Sequence, residues 1–184
     1  METLVPAFVA ALLAGIGDRP ACRVATLASR SGRIGAIIAA TVLAQVLVAA
    51  AAALGGGTVA PLLTPNARAL ALGLALVSAG LAALWPVRES AGGRSGTIAL
   101  VVGSIAAAFS ERAAFVTFAL AARGPSATLA GIGGAAGGIV LVVAAASIGK
   151  NGWRRVARRD IVVSAGLALT IVGAVLALGA LRLI

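Results

Sequence analysis

Hydrophobic positions in this chain fall in long, nearly unbroken runs, without the alternation of a half-buried strand or the narrow stripe of a soluble helix. Six runs approach ~20 residues, the length a helix needs to cross a hydrocarbon core of about 30 Å. They cover residues 4–29, 34–54, 67–85, 97–122, 127–148 and 161–181. Gly55, Gly56 and Gly57, with Pro61 and Pro65, are expected to break the second run from the third, and Pro86 to close the third. The pattern predicts an all-α integral membrane protein with six transmembrane helices.

Comparing the chain with itself at an offset of 93 residues organises these runs. Residues 17–30 read GDRPACRVATLASR and residues 110–123 read SERAAFVTFALAAR, which aligns Asp18 with Glu111, Arg19 with Arg112 and Arg30 with Arg123. Apolar coincidences arise easily in Ala-rich helices, whereas an acid and two arginines in register do not. The chain therefore divides into a first three-helix repeat at 1–88, a short cytoplasmic linker at 89–96 and a second repeat at 97–184, together one membrane domain. Three crossings per copy is an odd number, so the repeats are expected to be inverted.

Composition supports a lipid environment: 61% of residues are hydrophobic and 11% charged, against about 45–50% and about 25% in a soluble domain. The net charge of +10 would suit a nucleic-acid binder, but only 3% of residues are aromatic and Tyr is absent. Its basic residues instead gather in the gaps between runs. Nine fall on one side (Arg30, Arg33, Arg88, Arg94, Lys150, Arg154, Arg155, Arg158, Arg159) and three on the other (Arg68, Arg123, Arg182). The richer side is expected to be cytoplasmic, in contact with anionic lipid, which leaves both termini outside the cytoplasm. Trp85 and Trp153 then fall near the cytoplasmic interface, and the setting reads as a bacterial inner membrane. Residues before the first run include Glu2 and no Lys or Arg, so that run is expected to be retained as a helix. With no His and the single Cys22, the chain lacks a nucleophile and base set for an enzyme and would have to bind a metal through oxygen.

Five ionisable residues lie within the apolar runs: Asp18, Arg19, Arg23, Glu111 and Arg112. Insertion of such a residue at a helix centre costs about 2.5 to 3.5 kcal/mol, and Asp18 lies about 21 Å along a straight helix from residue 4. That depth disfavours snorkelling to the interface. Inverted repeats bring equivalent helices together at the midplane, so Asp18 and Glu111 are candidates for a shared cation or proton site, and for any metal ligation. Gly15, Gly17 and Pro20 are placed to open the first helix, with Ser110 at the corresponding point of the second copy. Arg23 aligns with Val116 and reads as structural. Gln45 and Thr117 are polar side chains inside spans, candidates for a pathway lining or for interhelical hydrogen bonds. The spacings Gly133 to Gly137 and Gly134 to Gly138 point to close helix packing, and small-residue faces are compatible with a homodimer.

These features resemble the Gdt-type cation/proton antiporter family, whose motif Glu-x-Gly-Asp-Lys/Arg-Thr/Ser stands in the first helix of each of two inverted three-helix repeats. The copies here read Gly15-Ile16-Gly17-Asp18-Arg19-Pro20 and Ala108-Phe109-Ser110-Glu111-Arg112-Ala113. The resemblance implies a secondary transporter that exchanges Mn2+ or Ca2+ for protons by alternating access, with no resident cofactor. Gly15 and Ala108 replace the motif glutamates, and Pro20 and Ala113 replace the hydroxyl. Two alternatives therefore stay open: export of another small charged solute by a lysine-exporter-like fold, using Arg19, Arg23 and Arg112, or a non-transporting degenerate paralogue.

Overall fold

A computed structural model of the chain describes residues 2–16, 19–30, 34–84, 112–156 and 159–181. It is an all-α, multi-pass membrane protein. The helices are α1 (Leu4–Gly15), α2 (Arg19–Arg30), α3 (Ile34–Val59), α4 (Pro65–Leu84), α5 (Arg112–Arg123), α6 (Ala127–Val156) and α7 (Arg159–Ala180), with a 3-10 turn at Ala60–Leu62. Among the described residues four stretches are long and apolar enough to cross a membrane: Ile34–Leu62, α4, α6 and α7.

The first apolar run is divided. Helix α1 ends where Ile16 turns to extended backbone (ψ 119°) while its N–H still bonds Leu12 O, and α2 starts at Arg19 with Pro20 in its first turn. Proline is tolerated there because first-turn N–H groups have no intrahelical partner. The second run corrects the expectation of a break at the glycine triplet, since α3 continues through it to Val59. Packing explains the difference. A methyl group on Gly56 would lie 2.7 Å from Ala121 Cβ and 3.0 Å from Ala122 N, so these glycines admit α5 to the α3 backbone. In an apolar solvent, moreover, a broken helix would leave its N–H and C=O groups unsatisfied. The third span starts as Thr64 caps α4, accepting from Ala67 N at 3.3 Å, with Pro65 at the first helical position. Of the fourth predicted run the described residues include α5; Trp85, Pro86 and the linker at 89–96 lie outside them.

Helix α6 is central and touches α1, α2, α3 and α5. Its two GxxxG spacings serve different neighbours. Gly133 and Gly137 receive α1, with Ala7 Cβ and Phe8 O within 3.0 and 2.8 Å of where a methyl would sit, while Gly134 receives Thr117 of α5 and Gly138 receives Gln45 of α3. The order of these contacts makes α1 run parallel to α6 and α3 antiparallel to it. Ala44 and Val48 pack with Ala114, whereas Gly55 and Gly56 further along meet Phe118 and Ala121, so α3 and α5 run parallel.

The most extensive contact joins α4 to α7. It is antiparallel and reciprocal: a methyl on Gly73 would lie 2.8 Å from Gly173 O, one on Gly173 2.7 Å from Gly73 O, one on Gly80 2.5 Å from Gly166 O and one on Gly166 2.9 Å from Gly80 O. Gly73 and Gly166, like Gly80 and Gly173, are separated by the same 93 residues that align the charged motifs. Small residues let helix backbones approach where lipid offers no hydrophobic drive to association.

Outside these contacts the helices present apolar side chains, such as Leu54 and Ile171, exposed by 71% and 61%, as a lipid-facing surface requires. Hydroxyls in the spans bond the preceding turn, as Thr41 does to Ile37 O at 2.6 Å and Thr170 to Gly166 O at 2.8 Å. Helix α6 leaves helical geometry at Gly149 (φ 69°, ψ −178°), directly after the predicted end of the fifth span at residue 148. Beyond this break Trp153 packs against the helices instead of standing exposed. It is 3% exposed, packed with Ala21, Ala25, Leu141 and Ala145. The small side chains of α2 leave a recess that the indole fills, burying apolar area.

Candidate functional site

The end of α1, the first turn of α2 and the start of α5 line one small cavity. Its wall is made by Gly15 of α1, Ala21 of α2, Gln45 of α3, Ala113 of α5, and Gly138 and Leu141 of α6. Its volume is about 10 Å³, room for about one water or one ion stripped of its shell. Gly15 is the first residue of the first motif copy and Ala21 directly follows that copy, while Ala113 is the last residue of the second.

Gln45 is the polar side chain of this wall and is 4% exposed. Its amide lies against Gly138, where a methyl group would come within 2.9 Å of Cδ. These two residues are again 93 positions apart. Gln45 thus supplies a carbonyl oxygen and an amide, and Gly138 supplies the space for them. Gln45 offers an oxygen ligand of the kind hard cations take.

Gly15 is closed in by Leu141, whose Cδ1 would stand 2.5 Å from a methyl group there. A side chain at this position would have to displace the tip of Leu141. Arg112 is half-buried at the first position of α5, with its Nη1 withdrawn from solvent. Thr117 stands one turn beyond Ala113, 2% exposed and outside the cavity wall, its Oγ1 donating to Ala113 O at 2.8 Å. Arg19 opens α2, and Arg23 is exposed on that helix. Gly17, Asp18, Ser110 and Glu111 lie outside the described residues. Among the described residues no three His, Cys, Asp or Glu side chains gather into a metal cluster.

The structure therefore brings Gly15 and Gln45 together and leaves Thr117 on the adjacent packing surface. Sequence reasoning missed Ala21, Ala113, Gly138 and Leu141. The offset of 93 would have found Gly138 as the partner of Gln45; nothing in an Ala or a Leu distinguishes a cavity wall from any other apolar contact.

Comparison with curated proteins and with solved structures finds no match for the chain. Residues 3–91, which contain α1 to α4 and the first charged motif, match the family model described as the divalent cation/proton antiporter GDT1, so this region is similar to that family.

Proposed function

We propose that the protein is a secondary transporter that exchanges a divalent cation, Mn2+ or Ca2+, for protons by alternating access around the central cavity. Asp18 and Glu111 are the coupling carboxylates, Gln45 supplies a further oxygen, and Arg19 and Arg112 balance the acids. The observation that carries this reading is the meeting of residues from the ends of both charged motifs on one small cavity. Directions of the helices support six alternating crossings in two inverted repeats, at 1–88 and 97–184. In such an arrangement the first and fifth crossings run the same way, the second and fourth run the same way, and the third and sixth run oppositely, as α1 with α6, α3 with α5 and α4 with α7 do. The Arg-rich side is then cytoplasmic, in a bacterial inner membrane, with both termini outside.

A cavity of about 10 Å³ is too narrow to pass a hydrated cation. Access from the cytoplasm requires the wall at Ala21 and Leu141 to part, and Trp153 stands against both. The test is flux in proteoliposomes loaded with a pH-sensitive dye under a Mn2+ or Ca2+ gradient. Cation entry accompanied by proton release, abolished in Asp18→Asn and in Glu111→Gln, is the expected result. Unchanged flux in both variants would overturn the assignment of the carboxylates. A second reading is favoured by Gly15 standing where the motif carries a glutamate: movement of a charged amino acid with no Mn2+ or Ca2+ flux would identify an exporter of another solute.

A further inference from the structure

A second cavity, separate from the central one, opens between α1, α4, α5 and α7. Its volume is about 510 Å³, inside the range of about 300–1,000 Å³ of small-molecule sites. The walls are apolar, formed by residues such as Pro6 and Leu13 of α1, Leu76 of α4, Leu120 of α5, and Leu169 and Val172 of α7. Polar groups stand at one end alone, where Glu2, Thr3 and Arg123 line the mouth.

The dimensions and chemistry of this groove match one leaflet. Along α1 it runs from Glu2 to Leu13, about 16 Å of helix at 1.5 Å per residue, beside about 15 Å for half of a hydrocarbon core. Three features at the mouth suit a phosphate with a cation attached. Arg123 and Glu2 are exposed, opposite in charge, and held in no ion pair among the described residues. Thr3 is 5% exposed and its Oγ1 is buried with no hydrogen-bond partner among the described residues. Thr3 also precedes α1 without capping it by its side chain, so the first N–H groups and the positive end of the helix dipole face the same place.

We infer that this groove is a binding site for a zwitterionic phospholipid, whose phosphate meets Arg123, Thr3 and the α1 N-terminus, whose ammonium meets Glu2, and whose acyl chain lies between α1 and α7. A lipid held here bridges α1 to α4 and α7, so it ties the helix that lines the central cavity to the α4/α7 pair.

The full chain is purified in mild detergent and analysed by native mass spectrometry, then delipidated and titrated with phosphatidylethanolamine, phosphatidylglycerol or soluble phosphoethanolamine. Phosphatidylethanolamine should co-purify at one per chain and raise the thermal midpoint on add-back. Soluble phosphoethanolamine should do neither; if it binds as well as the lipid, the site is for a free phosphate compound and the lipid assignment falls. Arg123→Ala should weaken phosphatidylethanolamine by about tenfold, the usual worth of a charge-assisted hydrogen bond. Ala168→Trp places a large side chain at an exposed groove position. It should abolish retention while leaving the midpoint of the lipid-free protein unchanged. Equal retention of phosphatidylglycerol and phosphatidylethanolamine would overturn the zwitterionic assignment, and lipid retained undiminished in Ala168→Trp would overturn the groove as its site.

Discussion

Gln45 lies against Gly138, the residue that occupies its own position in the second copy of the sequence. The contact sets the size of the central cavity, since a side chain on Gly138 and the Gln45 amide claim the same space. Gly138→Ala is therefore expected to lower stability by about 1–3 kcal/mol through overpacking. Gln45→Ala in the same chain should return much of that loss, with a coupling in a thermal-unfolding cycle in the range of about 0.5–3 kcal/mol. Additive effects would show that the two residues do not compete. Gln45→Leu, which keeps most of the volume and removes the oxygen, should leave the fold intact and reduce cation flux.

Leu141 fills the room beside Gly15. Gly15→Glu alone should be poorly tolerated, because a carboxylate would be driven into the leucine. Gly15→Glu combined with Leu141→Ala removes the obstruction, and the pair is expected to raise Mn2+ affinity above that of the native chain in proteoliposome flux or isothermal titration. No gain in affinity from a double variant that folds normally would separate Gly15 from the cation site.

The α4/α7 contact predicts matched sensitivity at its two ends. Gly80→Leu and Gly173→Leu should each cost about 1–3 kcal/mol or more, because each meets backbone of the facing helix. Gly179→Leu is the control on the same helix: nothing lies within 4 Å of a methyl group there, and exposed sites of this kind change stability by no more than about 0.5 kcal/mol. Detergent-resistant melting followed by circular dichroism measures all three.

Trp153 is reported by its own fluorescence once Trp85 is changed to Phe, because the chain has two tryptophans. A buried indole should emit at short wavelength and resist quenching by aqueous iodide. Gly149→Ala places a Cβ at a backbone conformation that is nearly confined to glycine, at a cost of order 1–3 kcal/mol. It should unseat the segment beyond the break and raise Trp153 quenching. Quenching in the native chain equal to that of free indole would contradict the burial of Trp153.

The long apolar runs were legible because lipid demands length and hydrophobicity, both visible in a single sequence. Gln45 was legible for the opposite reason, since a polar group in such a run costs enough to need a cause. What could not be read was which partner a small residue meets. Gly55 to Gly57 resemble a helix break on propensity alone, and only the presence of α5 turns them into a packing surface inside α3. Trp153 likewise carries the composition of an interfacial anchor, and its burial depends on a recess formed by Ala21 and Ala25, more than a hundred residues away. Ala21, Ala113 and Leu141 enter the cavity wall by geometry alone.

The mutual contact of Gly73 with Gly173 and of Gly80 with Gly166 has the form of an interface between two identical subunits, in which residue i meets j and j meets i. In a homodimer every substitution at such a surface falls on both sides at once. Here both sides belong to one polypeptide, so each can be altered singly. Gln45 facing Gly138 shows what that freedom permits: an asymmetric pair at corresponding positions, which two copies of a single three-helix chain could not encode.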